Sequence, residues 1–162
     1  MTRKEQYNQL ILQIAGLIKD ETNLVGILAN VSAALHDTFP ERFFWVGFYL
    51  QENGNMLRLG PFQGSVACYV IPFGKGVCGK AWEEERTLII PDVEKFPGHI
   101  ACSSLSRSEI VVPMYDDSHT FRGVLDIDST RLNDFNEDDK EGLERIIELL
   151  MAETQDLFQQ KG

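Results

Sequence analysis

With 162 residues, 43% of them hydrophobic and 25% charged, the chain has the size and composition of one soluble domain able to bury a sizeable core. Its formal net charge of -10 works against nucleic acid and against an anionic membrane surface, since both would repel it. No run approaches the length of a bilayer span, and Met1-Thr2-Arg3-Lys4-Glu5-Gln6 lacks the apolar core of a signal peptide, so a cytoplasmic single domain over residues 1–162 is expected.

Tyr7, Leu10, Ile11, Ile14, Leu17 and Ile18 recur at three- and four-residue steps, which predicts an amphipathic helix. A second helical stripe, Leu24, Ile27, Leu28, Val31 and Leu35, ends before Pro40. Such stripes form core or packing surface, and the first is placed to share in a homodimer interface. Phe43 to Leu50 is a continuous apolar and aromatic strand, followed by an Asn-Gly turn in 52–55 and a return strand over Met56–Leu59. Trp45, Gly47 and Tyr49 share one face of it by alternation, and core packing is their plain expectation.

Ser65 to Ile71 is predicted as a third strand carrying Cys68. Pro72-Phe73-Gly74-Lys75-Gly76 then turns into a helix over Val77–Glu85. Gly74 and Gly76 complete no phosphate-binding or dinucleotide pattern, so they are turn residues and no bound cofactor is expected. Cys78 lies four residues before Trp82 on one helical face, which favours a packed or secondary role. Thr87–Ile90 is a short strand, and the loop from Pro91 to Leu105 is long enough to mark function or mobility. Ser108–Tyr115 and Phe121–Asp128 form a hairpin. Val124, Asp126 and Asp128 share one face of its second strand, turned toward either solvent or a pocket, and Leu125 and Ile127 share the other. Asn136 caps a final helix whose stripe is Leu143, Ile146, Ile147 and Leu150, expected to pack beside the first helix on the side of the sheet away from the pocket.

Three cysteines cannot complete an intramolecular disulfide framework, and their spacings match no zinc pattern. The three histidines follow no ligand spacing either, so no metal is assigned. Cys102 lies between a Pro- and Gly-containing loop and an apolar strand, where a thiol can be partly exposed, as reactivity requires.

The segments 64–68 (GSVAC), 74–79 (GKGVCG), 91–93 (PDV), 99–102 (HIAC), 108–113 (SEIVVP) and 123–129 (GVLDIDS) together resemble the GAF-domain family of free methionine-(R)-sulfoxide reductases over essentially the whole chain. The glycine-rich turn and the Glu-Ile-Val-Val-Pro strand identify the fold. The three cysteines with Glu109, Asp126 and Asp128 identify the subfamily. The resemblance implies an α+β domain: a central antiparallel sheet with the terminal helices on one face and a pocket on the other. It further implies that Cys102 is the nucleophile toward sulfoxide sulfur and Cys68 the resolving thiol, with Cys78 a possible secondary one, and that a thioredoxin-like donor reopens the disulfide.

Either Glu109 or Asp126 would give the proton that the leaving oxygen needs. Glu109, Asp126 and Asp128 would hold the substrate ammonium, Trp45 and Tyr49 would wall its S-methyl group, and backbone N–H groups near Ser103 or Ser65 could receive its carboxylate. The competing class is a non-catalytic small-molecule-binding or redox-sensing GAF module, which a fused output domain would have supported. A thiol peroxidase would need an arginine near Cys102, and only Arg107 is close in sequence.

Overall fold

Side-chain alternation along the central strands divides the apolar residues into two layers. The computed structural model describes residues 1–160. The elements are α1 (Arg3–Ile18), α2 (Leu24–Thr38), β1 (Trp45–Glu52), β2 (Met56–Gln63), β3 (Val70–Pro72), α3 (Gly76–Glu84), β4 (Leu88–Ile90), a 3-10 turn (Val93–Lys95), β5 (Ser108–Tyr115), β6 (Phe121–Ser129) and α4 (Glu137–Gln160). The strands form one antiparallel sheet in the order β3-β2-β1-β6-β5-β4, so β1 and β6 are central.

On one face, Val46, Phe48, Ile110, Val112, Leu125 and Ile127 pack against α1, α2 and α4. On the other, Trp45, Tyr49, Val111 and Val124 meet α3. The terminal helices lie side by side away from the second layer, as expected. The first stripe is absorbed by this packing: Tyr7, Leu10, Ile14 and Ile18 are buried, and Leu12 and Leu17 are left exposed. Thr2, Asn23 and Asn136 accept backbone N–H groups at the starts of the three long helices, satisfying donors that would otherwise be orphaned. No helix among the described residues is long and apolar enough to cross a membrane.

Asp139 is fully buried yet well compensated. It accepts from Tyr7 Oη (2.6 Å), Arg3 Nη1 (2.8 Å), Arg42 Nη2 (3.0 Å) and the Asn136 N–H (2.9 Å), tying α1 and the α2–β1 connection to the start of α4.

Three boundaries differ from expectation. The strand expected from Phe43 begins at Trp45, because the Phe43 N–H is spent on a helix-like bond to Phe39 O (2.9 Å). The return strand continues past Leu59 to Gln63. It passes Gly60-Pro61 at a register shift opposite Phe48, the kind of bulge where proline is tolerated. The strand expected over Ser65–Ile71 is reduced to Val70–Pro72. Two carbonyls in the lost part, Ser65 O and Cys68 O, accept side-chain donors from Trp45 and Tyr49 instead of strand partners. Cys68 therefore sits in a loop.

Gly47 is required by a close approach. A Cβ there would lie 2.2 Å from Phe62 Cβ and 2.9 Å from the Trp45 ring, which stacks on Phe62. Gly47→Ala is expected to destabilise by about 1–3 kcal/mol through overpacking. A urea titration should show a lower midpoint at unchanged slope.

Candidate active site

Strand register assembles the polar floor of a pocket on the α3 side of the sheet. Glu109 of β5 pairs with Asp128 of β6, and Asp128 pairs with Trp45 of β1. One step along, Asp126 lies between Val111 and Gly47. Residues paired across strands point to one face, so the three acids and Trp45 converge. Glu109 and Asp126 are only 5% and 6% exposed. From above, α3 contributes Cys78, whose Sγ comes within 4.8 Å of carboxylate oxygens of both.

Cys68 and Cys102 are joined by a disulfide, with Cα atoms 5.5 Å apart. Cys102 lines the pocket with Ser103, and Cys68 is outside its lining. The loop carrying Cys68 is pinned from β1: Trp45 Nε1 donates to Ser65 O (3.0 Å), and Tyr49 Oη donates to Cys68 O (3.1 Å). Burial raises the Tyr49 hydroxyl far above its usual range, so it stays a donor. Trp45 and Tyr49 stack and form one wall, so core packing and pocket lining hold together for both. In this disulfide-closed form the cavity is about 40 Å³. That admits a few waters and falls well short of the roughly 300–1,000 Å³ of ordinary ligand pockets.

The pocket acids differ from the buried acids elsewhere. Asp139 is paired with two arginines and Asp116 with Arg122. Among the described residues no lysine or arginine pairs with Glu109, Asp126 or Asp128, and the nearest cationic candidate is His99, with Nε2 3.7 Å from Glu109 Oε1. Burial lowers the His99 imidazole, with Asp126 partly opposing, so the ring is neutral at pH 7. Burial pushes the Glu109 carboxyl well above the usual range, and Asp126 and then Asp128 push it further. Asp128 is raised by burial and then by Asp126. Asp126 is also raised by burial, but Glu109 and the Cys78 thiol face it and offset part of the rise. All three carboxyls are thus raised together as one coupled set, and Asp126 is the one whose rise is partly offset. One Asp126 oxygen, Oδ1, is buried without a hydrogen-bond partner. Cys78 is kept a neutral thiol, first by burial and then by the acids beside it.

The pocket thus brings together Trp45, Tyr49, Cys78, Cys102, Ser103, Glu109, Asp126 and Asp128, with Cys68 bonded to Cys102. Sequence reading gave no site role to several lining residues, among them His99, Ile100 and Ser106. Ile100 would touch a Cβ placed on Gly76, whose φ of +62° at the entry to α3 confirms the turn role expected of that glycine. His99 had one available signal, its position three residues before Cys102.

The sequence profile of the GAF domain matches residues 21–152. A free methionine-R-sulfoxide reductase of Saccharomyces cerevisiae is 42% identical over 155 residues, covering 93% of this chain and 86% of that one. The chain belongs to the family of free methionine-R-sulfoxide reductases. A GAF domain-containing protein A of Dictyostelium discoideum is 56% identical over 149 residues, covering 92% of each chain. Among solved structures, the free methionine-R-sulfoxide reductase of Neisseria meningitidis in complex with its substrate superposes with a TM-score of 0.92 at 44% identity, covering 100% of this chain and 95% of that one. The fold expected of a free methionine-R-sulfoxide reductase, an antiparallel sheet between helices and a pocket, is the fold observed.

Proposed function

We propose that the chain reduces free L-methionine (R)-sulfoxide to methionine, using the Cys68–Cys102 pair as the electron source. The observation that carries this reading is the cluster of buried carboxylates with no lysine or arginine partner among the described residues, beside a redox-linked cysteine pair. A buried anion without a counter-charge is costly, so a cationic group of the substrate, its ammonium, is the fitting partner.

In the reduced enzyme, the Cys102 thiolate attacks the substrate sulfur. The S–O bond breaks, methionine leaves, and Cys102 carries the oxygen as a sulfenic acid. The departing oxygen needs a proton. Glu109 is the better donor of the two candidates, because burial and then Asp126 and Asp128 push its carboxyl well above the usual range, whereas part of the rise at Asp126 is offset by its neighbours. Cys68 then attacks the sulfenic sulfur, forming the disulfide and releasing water. Two thiols are oxidised, one sulfoxide is reduced, and one water forms. A thioredoxin-like dithiol reopens the bridge by exchange, and a reducing cytoplasm is the compartment in which such a cycle turns over. Tyr49, through Cys68 O, holds the resolving loop against the wall that receives the S-methyl group.

The test is exhaustive reaction of racemic free methionine sulfoxide with thioredoxin, its reductase and NADPH, followed by chiral separation. The R epimer is expected to disappear and the S epimer to remain. Equal consumption of both, or of neither, would overturn the assignment.

A further inference from the structure

The two-cysteine cycle leaves Cys78 without a task, although it is buried in the pocket roof within 4.8 Å of Glu109 and Asp126 oxygens. We propose that Cys78, Glu109 and Asp126 form a site for a borderline-soft divalent cation such as Zn²⁺, which silences the pocket by occupying the carboxylates that face it. One thiolate sulfur and two carboxylate oxygens are ligand types that Zn²⁺ takes, at about 2.3 Å and about 2.0–2.2 Å. Tetrahedral binding at those lengths sets ligand atoms roughly 3.5 Å apart, so from separations within 4.8 Å the three groups need to close in by roughly 1.3 Å at most. The unpartnered Oδ1 of Asp126, on a side chain more than nine-tenths buried, is an acceptor that a cation would satisfy.

His99 lines the same cavity with its Nε2 3.7 Å from Glu109 Oε1, but it stands outside the group of three, whose ligand atoms lie within 4.8 Å of one another, so a solvent water completes the coordination. A cavity of about 40 Å³ takes a desolvated ion even while the disulfide is closed. Binding sends the Cys78 and Glu109 protons to solvent as one dication enters, so the buried charge changes little. No redox step is involved. The site rests on geometry that holds whatever the protein's substrate.

The disulfide makes the test specific, because oxidised protein has Cys78 as its only thiol. Co²⁺ titrated into the oxidised full-length chain is expected to produce a thiolate-to-cobalt charge-transfer band in the near ultraviolet, displaced by Zn²⁺. The band should be absent in Cys78→Ser and Cys78→Ala. Asp126→Asn should weaken binding at least tenfold. The variant Cys68→Ser/Cys102→Ser, whose pocket cannot be closed by the bridge, should retain the band. Should neither the oxidised chain nor that double variant give a band, or should the band persist in folded Cys78→Ser, the site is refuted.

In the reduced enzyme, Zn²⁺ should raise the apparent KM for sulfoxide without lowering kcat. Unchanged cobalt binding beside a failed competition would count against the proposed function and leave the metal site standing.

Discussion

Cys102→Ser is expected to abolish sulfoxide reduction, a loss on the order of 10³-fold or more in kcat/KM. Of the three cysteines, only Cys102 both lines the pocket and is bonded to a partner that can resolve it. Cys78 lines the pocket too, but burial and its acidic neighbours hold it as a thiol, and the thiolate is the nucleophilic form. Cys68 is outside the pocket lining, on a loop pinned by Tyr49. Cys68→Ser should therefore release close to one methionine per enzyme in a single turnover and then be poorly recycled, because the resolving thiol bonded to Cys102 is gone. Cys78→Ser should show the smallest loss of the three. Rapid quench with methionine quantified against enzyme separates these cases. A full burst from Cys102→Ser would move the nucleophile elsewhere.

Period and turn chemistry made the framework legible. The apolar stripes of α1, α2 and α4, the alternation in β6 and the cap at Asn136 are local patterns that the three-dimensional packing uses unchanged. The pocket acids were legible because period-two alternation puts Asp126 and Asp128 on one face whatever their partners. Two kinds of information were not local. The segment 65–69 has strand-like composition but loses its ladder to side chains 19 and 20 residues earlier, a competition that no window on the segment itself reveals. The roles of the acids depend on which neighbours each one faces within a shared buried site. That follows from the β5–β6 register and from α3 lying across it, not from residue type. His99 was missed for a related reason. Its meaning comes from Glu109, ten residues away in sequence and joined to it only by the fold.

N-acetyl-methionine sulfoxide is expected to be a very poor substrate of the unaltered enzyme. If the carboxylate cluster receives the substrate ammonium, the acetylated compound loses a charge-assisted hydrogen bond worth roughly 1.5–3 kcal/mol, or about ten- to two-hundredfold in kcat/KM. It also leaves Asp126 facing an amide instead of a cation, so the true loss lies toward the upper end. Asp126 is the acid on which the effect should centre, since its rise is the one that neighbours partly offset and its Oδ1 has no hydrogen-bond partner. Asp126→Asn should lower kcat/KM on the free amino acid by that same order while narrowing its advantage over the acetylated compound. Glu109→Gln removes a proton donor and leaves the Asp126 carboxylate group in place, so it should depress kcat more than it raises KM. The two variants thus separate binding from proton transfer within a cluster whose oxygens crowd together. Measuring kcat and KM for both compounds with both variants completes the comparison. Equal rates on free and acetylated substrate in the unaltered protein would remove the ammonium site, and the buried acids would then need another cation to explain them.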